Sequence, residues 1–329
     1  MRSTPGSIQA NSRTLNSELP SPVASGTAVD SDCLHVTRRS FALGLGGLLL
    51  NSQLRAQQKI RRIVSTAPSI TEALFALGLG DEVVGVSQYC DFPPAAASLP
   101  KVGTYIKPDA EAIARLVPDL VILQRTSSEL TDRLSALHIP FIEVPHGALN
   151  DVFTGIQAIS QAAGVPARGV ELISRIRSSL EAIQTKAKSM PSPRIVAIVD
   201  RKQGTLTDLT AVGPDNYVNQ ILEIAGGVNV LANPGLPHYP HISLETVIRE
   251  NPDFILDLSN TQASESERQA ARTGVLALWG LNNELTAVRN GNVFFGTSNA
   301  LLVPGPRAPE AAQTLFDFMH SKASAGRTS

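Results

Sequence analysis

The sequence predicts an α/β protein of two Rossmann-like lobes with parallel sheets, joined by a long rigid helix. Three observations carry that prediction. Short β-branched runs alternate with helical stretches, one phrase of sequence is written twice, and an unbroken amphipathic segment lies between the copies.

The strands come first. "RIVSTA", "VVGVS", "DLVIL" and "FIEVP" are the expected strands of the first half, and "RIVAIVD", "FILDL" and "VFFGT" the clearest of the second. They are apolar on both faces and separated by helices, the pattern of parallel sheets covered on both sides. Each half also has a helix that ends in glycine before another apolar segment. Gly78 and Gly226 are expected at the helix ends, where a left-handed residue turns the chain back.

The repeated phrase is "YIKPDAEAIARLVPDLVIL" (Tyr105 to Leu123) and "YPHISLETVIRENPDFILDL" (Tyr239 to Leu258). In both, Tyr stands six residues before Glu, Pro-Asp comes seven after it, and a strand-like run closes the phrase. Asp109 and Ser243 are the expected helix N-caps, Glu111 and Glu245 lie in the first turns, and Pro118 and Pro252 stop the helices. Either glutamate alone reads as an ordinary partner of its helix dipole. Two at matching places give one anionic contact point per lobe, suited to gripping a symmetric or pseudo-symmetric partner at two points.

Between the copies runs "ARGVELISRIRSSLEAIQTKAKSM" (Ala167 to Met190). Val170, Ile173, Ile176, Leu180 and Ile183 recur at steps of three or four, and Pro166 and Pro191 bound the segment. The helix would be about 30 Å long. A flexible hinge would use Gly and Ser; this connection is a strut. The expected organisation is a leader over residues 1–56, a first lobe over 57–165, the connector over 166–190 and a second lobe over 191–329.

The leader has a functional reading. "TRRSFALGLGGLLLNSQLRAQ" places Arg38 and Arg39 before a short apolar run from Phe41 to Leu50, with small residues near Ala56. That order is an export signal of the twin-arginine type, preceded by a polar stretch expected to be disordered. The apolar run falls short of the roughly twenty residues a spanning helix needs. A soluble, periplasmic or otherwise exported protein is expected after cleavage near Ala56, with no membrane span in the mature chain.

Bulk composition narrows the partners. Of 329 residues, 43% are hydrophobic and 17% charged, with a net charge of −1, which speaks against nucleic acid or an acidic polymer. Cys33 and Cys90 match no zinc or redox spacing, and loss of the leader would leave Cys90 without a disulfide partner.

Enzyme motifs are missing: no G-x-S-x-G, H-E-x-x-H, Walker A loop or C-x-x-C occurs. No catalytic residues and no cofactor of its own are therefore expected. An exported cofactor-binding enzyme is the alternative of another class, because twin-arginine export serves proteins that fold before crossing. A metal-binding protein would need several converging ligands. His138, His146, His238 and His241 are instead expected in surface or loop hydrogen bonds, with His146 and His241 able to reach a metal already held inside a ligand.

The four tyrosines suggest a ligand site. Tyr89, Tyr105 and Tyr239 stand at loop ends, where an apolar face with a polar tip suits a cleft for a flat-faced ligand. Tyr217 begins a helix and is expected to be an ordinary half-buried residue. Trp279 is expected in packing, Cys90 as a small buried residue, and Arg307 either at the cleft or capping the last helix.

At these residues the chain resembles a known family: the two-lobed, helical-backbone substrate-binding proteins of ABC importers for cobalamin, siderophores and haem, most similar to its cobalamin-binding members. The resemblance runs from Arg61 to His320. It is carried by "GVSQYCDFPP", "KVGTYIKPDAEAIARLVPDLVI", "GGVNVLA", "HYPHISLETVIRENPDFIL" and "PGPRAPEA". It implies a monomer that delivers a cobalamin or other metal-chelate ligand to an ABC transporter permease dimer. By resemblance, Glu111 and Glu245 pair with permease arginines, and Tyr89, Tyr105 and Tyr239 line the ligand cleft. Pro68 and Ser69 match a turn whose backbone approaches the ligand. The chain departs from cobalamin binders in carrying Tyr105 and Tyr239 where they have Trp, and Thr210 in place of a ligand-facing Phe.

Overall fold

The structure is a computed structural model that describes residues 60–125, 128–259, 265–296 and 298–325. The expected leader and export signal lie outside the described residues.

The first lobe is built in the order β1 (Ile63–Ser65), α1 (Pro68–Ala76), β2 (Val83–Val86), α2 (Pro94–Ala97), α3 (Ala110–Arg115), β3 (Leu120–Gln124), α4 (Ser128–Ala136), β4 (Phe141–Val144) and α5 (Leu149–Ala162). Its sheet runs β2-β1-β3-β4, with every neighbour parallel. After the connector α6 (Pro166–Ala187), the second lobe comprises β5 (Arg194–Asp200), β6 (Leu209–Ala211), α7 (Tyr217–Ile224), β7 (Val228–Asn229), β8 (His241–Ile242), α8 (Leu244–Glu250), β9 (Phe254–Asp257), α9 (Glu265–Gly280), α10 (Thr286–Arg289), β10 (Val293–Phe295) and α11 (Ala308–Ala325).

The two α/β lobes and the long helix match the expected class, with one correction: the second sheet is mixed. Its order is β10-β9-β5-β6-β8, and β6 runs antiparallel to both β5 and β8. The edge of β5 is divided. Its first residues pair with β7 in parallel, and its last residues take β6 as a returning hairpin partner. A strand reached by a short loop returns antiparallel, because a parallel return needs a longer crossover.

Why the phrase is repeated is visible in its closures. Val117 and Asn251 both take left-handed backbone, with φ of 44° and 41°, directly before Pro118 and Pro252. A β-branched residue there is sterically strained. Each closure is clamped by the arginine that begins its lobe. Arg62 donates from its guanidinium to the carbonyls of Leu116 and Val117, and Arg194 to those of Glu250 and Asn251. In return, the Asp119 carboxylate accepts the Arg62 N–H at 3.0 Å, and Asp253 accepts the Arg194 N–H at 2.8 Å. The "RIV" starts and the Pro-Asp phrases are therefore two ends of one device, used once per lobe. Gly78 and Gly226, with φ of 71° and 90°, also occupy the expected helix ends.

The connector is less a bare rod than the middle of a helical spine. Helix α6 packs against α5, α7 and α11. Leu172, Ile176, Leu180 and Ile183 of α6 join one apolar cluster that includes Ile63 and Leu74 of the first lobe and Ile195, Leu222 and Leu315 of the second. The two lobes therefore share a continuous close-packed core, which resists wide swinging. Val170, expected on the buried stripe, is 70% exposed, and Leu172 is buried instead. Partners on several sides, rather than one stripe, set which residues α6 buries.

Candidate functional site

A cleft of about 730 Å³ lies between the lobes. Its first wall is made by the residues at and just beyond the strand ends of the first sheet. Pro68 and Ser69 come after β1, Gln88, Tyr89 and Asp91 after β2, Gln124 ends β3, and His146 and Gly147 come after β4. Carboxyl ends of parallel strands are the usual ligand edge of such sheets, because the loops there are free to vary while the strands hold them in place. The second wall includes Val199 of β5, Tyr217 and Val218 at the start of α7, Tyr239 ahead of β8, and the Asn299 to Pro304 segment after β10.

All five residues expected to touch a ligand line this cleft: Pro68, Ser69, Tyr89, Tyr105 and Tyr239. The rings of Tyr89 and Tyr105 meet edge to face, with centroids 5.8 Å apart. Tyr239 lines the same cleft from the other lobe and is 44% exposed. Burial pushes its phenol pKa up, so the group stays a neutral donor. Ser69 is held by the Gln124 side-chain amide, which donates to its hydroxyl at 3.1 Å.

Tyr217 departs from expectation. It is fully buried rather than half-buried, forms part of the cleft floor, and donates its hydroxyl to the Ala300 carbonyl at 3.4 Å. Burial, and then the nearby Glu72 carboxylate, push its pKa up.

Among the described residues the lining contains no lysine or arginine. Its one carboxylate, Asp91, accepts a hydrogen bond from the Asn299 amide at 3.0 Å. Its one imidazole is His146.

The profile of the family described as Periplasmic binding protein matches residues 63–300. The chain belongs to that family. It is similar to the "Vitamin B12-binding protein" of Vibrio parahaemolyticus, 29% identical over 83% of this chain and 94% of the relative. Among solved structures it is similar to the periplasmic heme-binding protein RhuT from Roseiflexus sp. RS-1 in apo form, with TM-score 0.70, 27% identity and coverage of 80% and 99% of the two chains. The periplasmic vitamin B12-binding protein BtuF of Vibrio cholerae matches with TM-score 0.66, 26% identity and coverage of 80% and 98%. The chain is thus a periplasmic solute-binding protein of the helical-backbone type that serves ABC importers.

In this periplasmic binding protein, Glu111 and Glu245 stand apart from the cleft. Both are exposed and both occupy the first turn of their helices, α3 and α8. Asp109 caps α3 by accepting from the Glu111 and Ala112 N–H groups, and Ser243 caps α8 by accepting from Thr246. The Ser243 hydroxyl, then the helix backbone, hold the Glu245 carboxyl below the usual carboxylate range, so it stays ionised through neutral and mildly acidic pH.

The histidines do not converge. His138 lies two residues beyond α4 with left-handed backbone, His238 bonds the Pro214 carbonyl, and His241 meets the Thr210 hydroxyl. Thr210, at the position matched to a ligand-facing Phe, is absent from the lining. Among the described residues no group of three metal-ligating side chains occurs, and no helix is long and apolar enough to cross a membrane. Asp91, Gln88, Gln124 and Asn299 also line the cleft; Gln88 and Asp91 lie within the "GVSQYCDFPP" motif, but sequence reasoning picked out only Tyr89 there, and it picked out neither Gln124 nor Asn299. Each lies at or just beyond the end of a regular element, a position that pattern alone gives every loop residue.

Proposed function

We propose that this protein captures a corrinoid between its lobes in the periplasm and hands it to an ABC permease, with no catalysis of its own. The observation that carries this reading is the chemistry of the cleft: phenols, carboxamides and apolar surface, with no lysine or arginine among the described lining residues. A corrinoid presents a ring of neutral amides, which such donors and acceptors match. Haem brings two propionates, and ferric siderophores are commonly anionic. Burying such charge without a cationic partner is costly. The vitamin B12-binding relative supports the same choice.

In this reading Tyr89, Tyr105 and Tyr239 hold the ligand's faces and edges, Pro68 and Ser69 approach it through the turn after β1, and Glu111 and Glu245 dock to permease arginines. The lobe boundaries at 165/166 and 190/191, export by the twin-arginine signal with cleavage near Ala56, and action as a monomer belong to the same proposal.

Titration of the purified protein with cyanocobalamin, haem and a ferric siderophore tests the ligand. Cyanocobalamin is expected to bind one to one and without turnover, at least about tenfold tighter than the other two, a difference of about 1.4 kcal/mol. Tighter haem binding would overturn the corrinoid assignment, and turnover would point to an enzyme. Truncation of the Tyr105 ring, Tyr105→Ala, should weaken the preferred ligand about ten- to hundredfold, because a large aromatic contact face is lost. An unchanged affinity would remove Tyr105 from the site.

One observation favours haem instead: His146 is an exposed imidazole in the lining, able to ligate an iron centre. If so, the visible spectrum of bound haem should shift in His146→Ala. An unchanged spectrum counts against coordination.

A further inference from the structure

The lobes meet through a compact set of side-chain contacts beneath the cleft. Arg307, in the turn that leads into α11 of the second lobe, reaches back to Glu72 on α1 of the first. Its Nε donates to one Glu72 oxygen at 3.0 Å and its Nη2 to the other at 2.5 Å, a two-pronged contact. The same Nη2 donates to the Asn299 side-chain oxygen at 2.6 Å, and the guanidinium lies 4.0 Å over the Phe92 ring. Glu310 stands 3.9 Å from the remaining Nη1. Asn299 completes the set by donating to Asp91 across the cleft floor.

The placement matters more than the bond count. Glu72 and Phe92 belong to the first lobe, Asn299 and Arg307 to the second. Glu72 lies on the helix whose first residues, Pro68 and Ser69, form one cleft wall. Asn299 and Asp91 themselves face the cleft. The ion pair is also buried, with side-chain exposures of 11% and 2%. A charge pair this enclosed is weak evidence of added stability, because desolvation offsets much of the attraction. It does fix geometry: a planar fork engaged by a carboxylate, an amide and an aromatic face tolerates little rotation. A second set of contacts between the lobes, Tyr217 N–H to the Gly147 carbonyl and Leu149 N–H to the Gln220 side chain, is made by elements near the helical spine.

We infer that Arg307 is a positioning residue that holds the two walls of the ligand cleft at a fixed opening, with Glu72, Asn299 and Phe92 as its anchors. The ligand then meets walls already set for it. Asp91 and Asn299 tie that setting to the cleft surface, so a ligand contact at either is felt at the fork. Only the affinity arm of the test rests on the cleft being the ligand site; the opening itself is measured without ligand.

The test uses the full chain with Cys33→Ser, which removes the other native thiol, while Cys90 is buried and shielded from the label. Spin labels go on the exposed faces of the lobes through Asp132→Cys and Arg272→Cys. With Arg307 present, pulsed electron resonance should give one narrow distance. Arg307→Ala should broaden it, and Arg307→Lys should recover part of the sharpness through its charge but not the fork. Apparent affinity for cyanocobalamin should fall about tenfold in Arg307→Ala, as the fraction of molecules with correctly set walls falls by that factor. If Arg307→Ala does not fold, Glu72→Gln, which keeps the shape and loses the charge, should give the same broadening in smaller degree. A lowered melting temperature with an unbroadened distance would mean a merely structural residue, and weaker binding with an unbroadened distance a direct ligand contact; either overturns the inference.

Discussion

Reversing both surface glutamates, Glu111→Arg with Glu245→Arg, is expected to abolish ligand uptake by cells while leaving affinity for the ligand unchanged. The two carboxylates lie outside the cleft lining, so the ligand's surroundings stay intact. They are exposed, each is projected from the first turn of a capped helix, and those helices are closed by the same Arg–Asp clamp in both lobes. The lobes share a packed spine, so the distance between the glutamates varies little, and a permease dimer with paired arginines would be gripped at both ends at once. Joining two weak contacts in this way multiplies their strength. A single reversal should therefore leave partial uptake, and the double reversal should reduce it by at least about a hundredfold, since each site exchanges attraction for repulsion. Uptake of labelled ligand, set beside titration of the purified variant, checks both halves. Loss of ligand affinity would overturn the division between docking and binding residues.

The second large effect concerns stability. Asp257→Ala should destabilise the protein by about 3–5 kcal/mol, the range for removing one partner of a buried charge pair. Asp257 ends β9 with no exposed surface, and its partner Arg201, just beyond β5, is 5% exposed. The carboxylate accepts from Arg201 Nε at 3.0 Å, from the Trp279 indole at 2.8 Å, and from both the amide and the hydroxyl of Ser259. Its removal leaves a buried cation and three further donors unpaired beneath the core of the second lobe. Chemical denaturation measures the loss, and Asp257→Asn should fall between, keeping an acceptor but not the charge. A change below about 1 kcal/mol would mean that water or a shifted Arg201 replaces the carboxylate.

These two predictions differ in how much of their basis was open to sequence reasoning. The repeated helix starts that carry Glu111 and Glu245, the pair proposed to dock, were legible because they are local and doubled: a cap, an acid in the first turn and a proline stop recur at matched spacing. Asp257 was not. "FILDL" reads as a strand, and nothing in it says that the aspartate would face a tryptophan from α9 and an arginine from the end of β5.

The same division holds through the molecule. Local pattern alone determined strands β1 to β5, β9 and β10, the connector helix, the glycine turns and the tyrosines at loop ends, because periodicity, caps and β-branching act within a few residues of one another. Tertiary structure decided the rest. The short strands β6, β7 and β8 exist because a neighbouring strand offers each a paired edge, and Val170 is exposed while Tyr217 is buried because neighbours from both lobes choose the face. Arg307 meets Glu72 across 235 residues of chain. Such a partner is set by how two finished lobes come together, and no window of sequence contains both sides of the contact.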